Sequence, residues 1–114
     1  MKHIFIFGVP HYMDKFRRCI TDEAEIISYK HDDVFRGSLP DDIDAVWLTV
    51  DDVYDVEAAR QLRRIYPQTP LVVVGNSRIA ALKAIELGAA YYLDYDADAS
   101  EISEVVKTVL KNKI

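Results

Sequence analysis

Five short apolar runs alternate with segments of helical periodicity. That alternation predicts an α/β protein: a three-layer α/β/α sandwich on a five-stranded parallel sheet. Three observations carry this. The runs Ile4–Phe7, Ala45–Val50 and Leu71–Val74 hold no charge and stop at glycine, proline or acids, as strands buried on both faces do. Between them, apolar residues recur three and four apart with charged residues in the gaps. The chain has 114 residues, half of them hydrophobic and 29% charged, enough for one domain and too few for two.

Taken in order, Ile4-Phe5-Ile6-Phe7 is a first strand that ends at the turn Gly8-Val9-Pro10. Met13, Phe16, Cys19 and Ile20 then make the apolar face of a helix over about 12–20, with Lys15, Arg17 and Arg18 toward water. Glu25–Tyr29 is a second, more exposed strand. Residues 31–44 are rich in charge and contain Gly37 and Pro40, leaving room for one short helix near Asp33–Arg36. The central strand is Ala45–Val50. Asp52 or Asp55 is positioned to cap the next helix, in which Val56, Ala59, Leu62 and Ile65 form the apolar face and Arg60, Arg63 and Arg64 face water.

Pro67 and Pro70 bracket the following loop, and Leu71–Val74 is the fourth strand. It stops at Gly75-Asn76. Ser77 then caps a helix that runs to Leu87 and ends at Gly88. Ala90–Leu93 is the fifth strand, followed by the acidic turn Asp94–Asp98. In the last helix, beginning near Ser100, Ile102, Val105, Val106, Val109 and Leu110 form the buried stripe. Right-handed crossovers between parallel strands make the flavodoxin-like order 2-1-3-4-5 the most economical topology, with strand 1 between strands 2 and 3.

Composition limits function. A net charge of −5 argues against direct nucleic-acid binding, because an acidic surface repels phosphate backbones. No apolar run approaches 18 residues, so neither a membrane span nor a signal peptide is predicted. One cysteine, Cys19, excludes an internal disulfide; it lies on the apolar face of the first helix and fits a reducing, cytoplasmic setting. Residues 1–114 read as one domain, without repeats or linkers.

In an open parallel sheet, ligands gather beyond the carboxyl ends of the strands. Here that rim would carry Gly8 to His11, Thr49 to Asp52, Gly75 to Ser77 (with Asn76 between them) and Asp94 to Asp96. Asp51 and Asp52, with Asp94, Asp96 and Asp98, could assemble a cation site. They are equally the residues that cap helices and make turns, and are read here as a solvated rim. Gly8-Val9-Pro10-His11 could cradle an anion at a helix start, but a single glycine marks a turn more often than a site. His11 could titrate near neutral pH, while His3 and His31 show no ligand spacing.

Three segments point to a family: "DAVWLT" around the central strand, "EAARQLRRIYPQTPLVVVGN" from the following helix through strand 4, and "ALKAIELGAAYYL" from the next helix through strand 5. From Asp44 onward the chain resembles the receiver domain of bacterial two-component response regulators. The first 43 residues share only the order of elements with that family; their strand, Gly-x-Pro turn and helix are also similar to small Rossmann-like bacterial proteins. A receiver transfers a phosphoryl group onto an aspartate beside a magnesium ion, and a hydroxyl and a lysine sense the result. The resemblance puts the acidic pair at Gly8 and Val9, the phospho-acceptor at Thr49, the sensing hydroxyl at Gly75 and the lysine at Tyr95; the proline that follows that lysine falls on Asp96.

The chemistry fails at each position. Magnesium needs carboxylate oxygens, Thr49 is a neutral hydroxyl with no adjacent base, and the developing charge has no lysine or cation. The resemblance therefore implies a degenerate receiver, or pseudo-receiver: not an enzyme, with no cofactor and no metal. Its expected mode is contact with a protein partner or a second copy through the helix over 77–87, strand 5 and the last helix, the surface receivers commonly use. Tyr91, Tyr92 and Tyr95 cluster there, a residue type that interfaces favour, with at most two expected to be free for a partner. The alternative is a small-molecule sensor with its pocket at the rim, opened by the lack of a side chain at Gly75.

Overall fold

The structure, a computed structural model, describes residues 2–8, 10–19, 24–29, 31–36, 39–50 and 53–111. Five parallel strands, β1 (Lys2–Phe7), β2 (Ala24–Tyr29), β3 (Ala45–Thr49), β4 (Leu71–Gly75) and β5 (Tyr91–Asp94), form one sheet in the order β2-β1-β3-β4-β5. The helices are α1 (Pro10–Cys19), α2 (Val53–Ile65), α3 (Arg78–Glu86) and α4 (Ala99–Lys111), with a 3-10 helix over His31–Arg36. This is the expected flavodoxin-like sandwich.

Period-two alternation along each strand divides the core between the two faces. Ile4, Ile6, Ala45, Trp47, Val72, Val74 and Leu93 point toward α1 and α4; Phe5, Phe7, Val46, Leu48, Leu71 and Val73 point toward the 3-10 helix, α2 and α3. Trp47 and Phe16 meet with ring centroids 4.6 Å apart, and each such fully buried side chain contributes roughly 1.5–3 kcal/mol. The buried stripe of α4 consists of Ile102, Val105, Val106, Val109 and Leu110, as its spacing predicts.

Local chemistry fixes the helix ends. Ser77 Oγ accepts from the N–H of Ala80 at 3.1 Å. Past the C-terminus of α3, Gly88 takes φ +68°, with Gly88 N–H donating to Ile85 O and Ala89 N–H to Ala84 O, a Schellman motif that needs a glycine there. Asp98 Oδ1 accepts from the N–H of Glu101 at 2.9 Å and so caps α4.

The short helix expected near Asp33–Arg36 is present as a 3-10 helix over His31–Arg36. Within the 3-10 turn, Val34 is the buried apolar residue, too little for an amphipathic α-helix. Asp55 is not the cap of α2 but its third residue, and it is buried; Asp52 lies outside the described residues. Ile65 is exposed while Tyr66 is buried. The cause is helical geometry: steps of three from Val56 drift about 60° each, since a residue turns about 100°, so the fourth member leaves the face.

Arg63 does not face water. Half-buried, it donates Nε to Leu87 O (3.0 Å), Nη1 to Thr69 O (3.0 Å) and Nη2 to Gly88 O (3.2 Å), tying α2 to the loops around β4 and α3. Burial lowers the pKa of this guanidinium from its usual value.

Candidate functional site

At the carboxyl ends of β1 and β3, Gly8 and Thr49 meet. Phe7 pairs with Leu48, so the next position on each strand brings these two side by side. Both are buried, and Thr49 is fully so. A Cβ added at Gly8 would lie 2.7 Å from both Cγ2 and Oγ1 of Thr49. The Thr49 side chain thus occupies the space that any side chain at position 8 would need. A side chain at position 8 would have to displace that of Thr49.

On the other side of β3, Gly75 performs a similar service. A Cβ there would meet Ala80 Cβ at 2.7 Å, Val50 O at 3.0 Å and the Tyr92 hydroxyl at 3.4 Å. At Gly75 itself, the missing side chain leaves no open space. The room is taken by α3, whose first turn comes close to the strand end, and by the Tyr92 phenol. Tyr92 donates to Ser77 O at 3.4 Å, and burial, with the nearby Asp94 charge, raises its pKa.

Tyr95 follows β5, its N–H donating to Gly75 O at 3.1 Å, and its carbonyl accepts from Lys15 Nζ at 2.8 Å. Lys15 was expected to face water; α1 instead lays its ammonium against the end of β5, about where the resemblance called for a lysine. The two residues are 80 positions apart, so nothing local in the sequence could have signalled the contact.

The rim acids serve the backbone. Asp94 Oδ1 accepts from the N–H of Asp96 at 3.0 Å in an Asx turn, and Asp98 caps α4. Asn76, Asp94 and Asp96 are exposed. His11 is the second residue of α1, while Val9, Asp51 and Asp52 lie outside the described residues. Among the described residues, no three His, Cys, Asp or Glu side chains are grouped to hold a metal ion. At the opposite end of the sheet, His3 lies 3.3 Å from Glu25 and 3.7 Å from Asp42, a surface cluster remote from the rim. Cys19 packs half-buried against the α1–α4 core.

The outer surface beside β5 is the other candidate. Tyr91 is exposed, Tyr92 packs against the α2–α3 core, and Tyr95 packs against the α1–α4 core. The largest apolar exposure is on α3, where Ile79, Leu82 and Ile85 are 68%, 56% and 77% exposed. Sequence reasoning did not single these out. The available signal was a weakly amphipathic helix, with its small alanines on one face and its branched residues sharing the other with Arg78 and Glu86.

Among the described residues, no helix is long and apolar enough to cross a membrane. No protein-family description matches the chain, and no curated protein matches it significantly. Solved structures do. A response regulator receiver protein from Pseudoalteromonas atlantica is 12% identical, with a TM-score of 0.83 over 98% of this chain and 99% of that one. A response regulator from Thermotoga maritima is 15% identical, with the same score and coverage. A Burkholderia thailandensis E264 protein provisionally assigned to pilus assembly (cpaE) is 16% identical, with a TM-score of 0.78 over 98% of this chain and all of that one. At these identities the likeness establishes the fold: this chain has the fold of a receiver domain.

Proposed function

We propose that this domain is a receiver-like regulatory module that works without phosphorylation, by protein contact through α3, β5 and α4. The observation that carries the reading is the packing of Thr49. The residue that closes the central strand is a neutral hydroxyl, fully buried, with Gly8 pressed against it. Phosphoryl transfer needs an accessible nucleophile, in line with the donor and beside a cation. Gly8 brings no carboxylate to hold magnesium, and Lys15 is already engaged by a main-chain carbonyl. The contact half of the reading is supported by the apolar face of α3, since monomeric proteins rarely leave such a patch bare. A small-molecule pocket at the rim has less support, because the space at Gly75 is filled.

The test is direct. The full chain is incubated with acetyl phosphate and magnesium, and its intact mass is measured. No added phosphoryl group is expected; a stoichiometric gain of one phosphoryl group, on a hydroxyl or a carboxylate, would sink the proposal.

A further inference from the structure

Helix α3 is held to the sheet differently from α4. Of its nine residues two, Ala80 and Ala84, are buried, on the side that packs against β4 and β5. Helix α4 buries Ile102, Val105, Val106, Val109 and Leu110. Apolar stabilisation scales with the area removed from water, so packing holds α3 far less firmly than α4. The attachment of α3 lies instead at its two ends. At the first, Ser77 Oγ caps the helix and Ser77 O accepts from the Tyr92 hydroxyl. At the second, the Arg63 guanidinium reaches across from α2.

That guanidinium closes the carbonyl ends of two helices at once. Nε donates to Leu87 O and Nη2 to Gly88 O, at the end of α3. Nη1 donates to Thr69 O and lies 3.4 Å from both Tyr66 O and Pro67 O, just past the end of α2. Helix C-termini leave carbonyls unpaired and carry partial negative charge, so a cation with a planar fork suits both. The acceptors fall into two sets. Tyr66, Pro67 and Thr69 belong to the segment that joins α2 to β4, while Leu87 and Gly88 belong to α3 and its closing turn. Opening α3 alone breaks the second set and spares the first.

We infer that Arg63 is a latch on α3. The helix detaches from β4 and β5 as a unit while the rest of the domain stays folded, and the two bonds from Arg63 to its C-terminal end set how often it does so. Local openings of this kind are drawn from elements with few buried apolar contacts. Nine residues make too short a helix to persist in water once detached, so detaching and unwinding are one event. The event uncovers the end of β4, where Ala80 Cβ stands 2.7 Å from the place a Cβ at Gly75 would take. It also disperses the exposed residues Ile79, Leu82 and Ile85. The latch goes beyond the contact reading and does not depend on what that surface meets.

Native-state hydrogen exchange of the full chain, read residue by residue by NMR at low urea concentrations, tests this. Amides inside α3, such as the Leu87 N–H that donates to Lys83 O, are expected to be protected about ten-fold less, or lower still, than those of β3, β4 and α4. Low urea should hardly change their exchange, because the opening exposes little surface. Arg63→Ala should lower the protection of α3 by about a further ten-fold, through the loss of two charge-assisted bonds. Arg63→Lys, which keeps the cation and not the fork, should lower it about three-fold. If Arg63→Ala does not fold, the parent chain and Arg63→Lys decide the matter. Protection of α3 equal to that of β4, with the same steep urea dependence, would show that α3 opens only when the whole domain unfolds, and overturns the inference. Unchanged protection of α3 in the folded variants overturns it too, since Arg63 would then hold the loop before β4 and not the helix.

Discussion

Gly8 and Gly75 matter through what stands in their place. Each lacks a side chain at a strand end where a neighbour from another strand or helix has closed in. At Gly75 the neighbours are a backbone carbonyl and a helix-borne alanine, neither of which can swing aside. Gly75→Ala is therefore expected to destabilise the domain by about 1–3 kcal/mol, measured as a lowered urea midpoint with an unchanged slope. Equal stability would mean that the site has room after all and would reopen the small-molecule reading. The resemblance implies that both positions lack a receiver's functional groups. It could not show that the space had been refilled, because the refilling atoms belong to Thr49, Val50, Ala80 and Tyr92, positions that only the folded sheet brings together. The same holds for Lys15, whose carbonyl partner is on the last strand.

Among the elements, those with local signals were the legible ones. Ser77 and Gly88 announced both ends of α3, and the four-and-three spacing from Ile102 to Leu110 announced the buried face of α4. Where the signal was spacing alone, as at Ile65, a step of three drifted off the face and the real stripe moved on to Tyr66. Arg63 was misread for a different reason. An arginine on a helix normally faces water, and its role here depends on carbonyls at the C-terminus of α3 and in the loop before β4. Removing it leaves half-buried carbonyls without donors. Arg63→Ala should cost roughly 2–3 kcal/mol by thermal or urea unfolding. Arg63→Lys should recover only part of that, because an ammonium cannot present a planar fork to several acceptors at once. Full recovery by lysine would show that charge alone, not the fork, is what α2 supplies.

For the molecule as a whole, strand order and layers followed from the alternation of buried runs with amphipathic segments, and the receiver fold from the segments after Asp44. What this chain does with that fold is decided at two surfaces. On the proposed reading the rim lacks the groups that would bind magnesium and accept a phosphoryl group, and Gly8 is packed against the buried Thr49. Beside the edge strand, α3 presents its largest side chains outward. An ordinary receiver couples these surfaces, chemistry at the rim changing the contact face. On the proposed reading the contact face of this chain is expected to be constitutive. The measurement that tests this most directly is an amide NMR titration of the full chain with magnesium and then beryllofluoride, a mimic of the phosphoryl group. Unmoved resonances for Gly8, Thr49 and Tyr95 at saturating concentrations are predicted; saturable shifts at those amides, carried through to α3, would show a working switch and contradict the account at its centre.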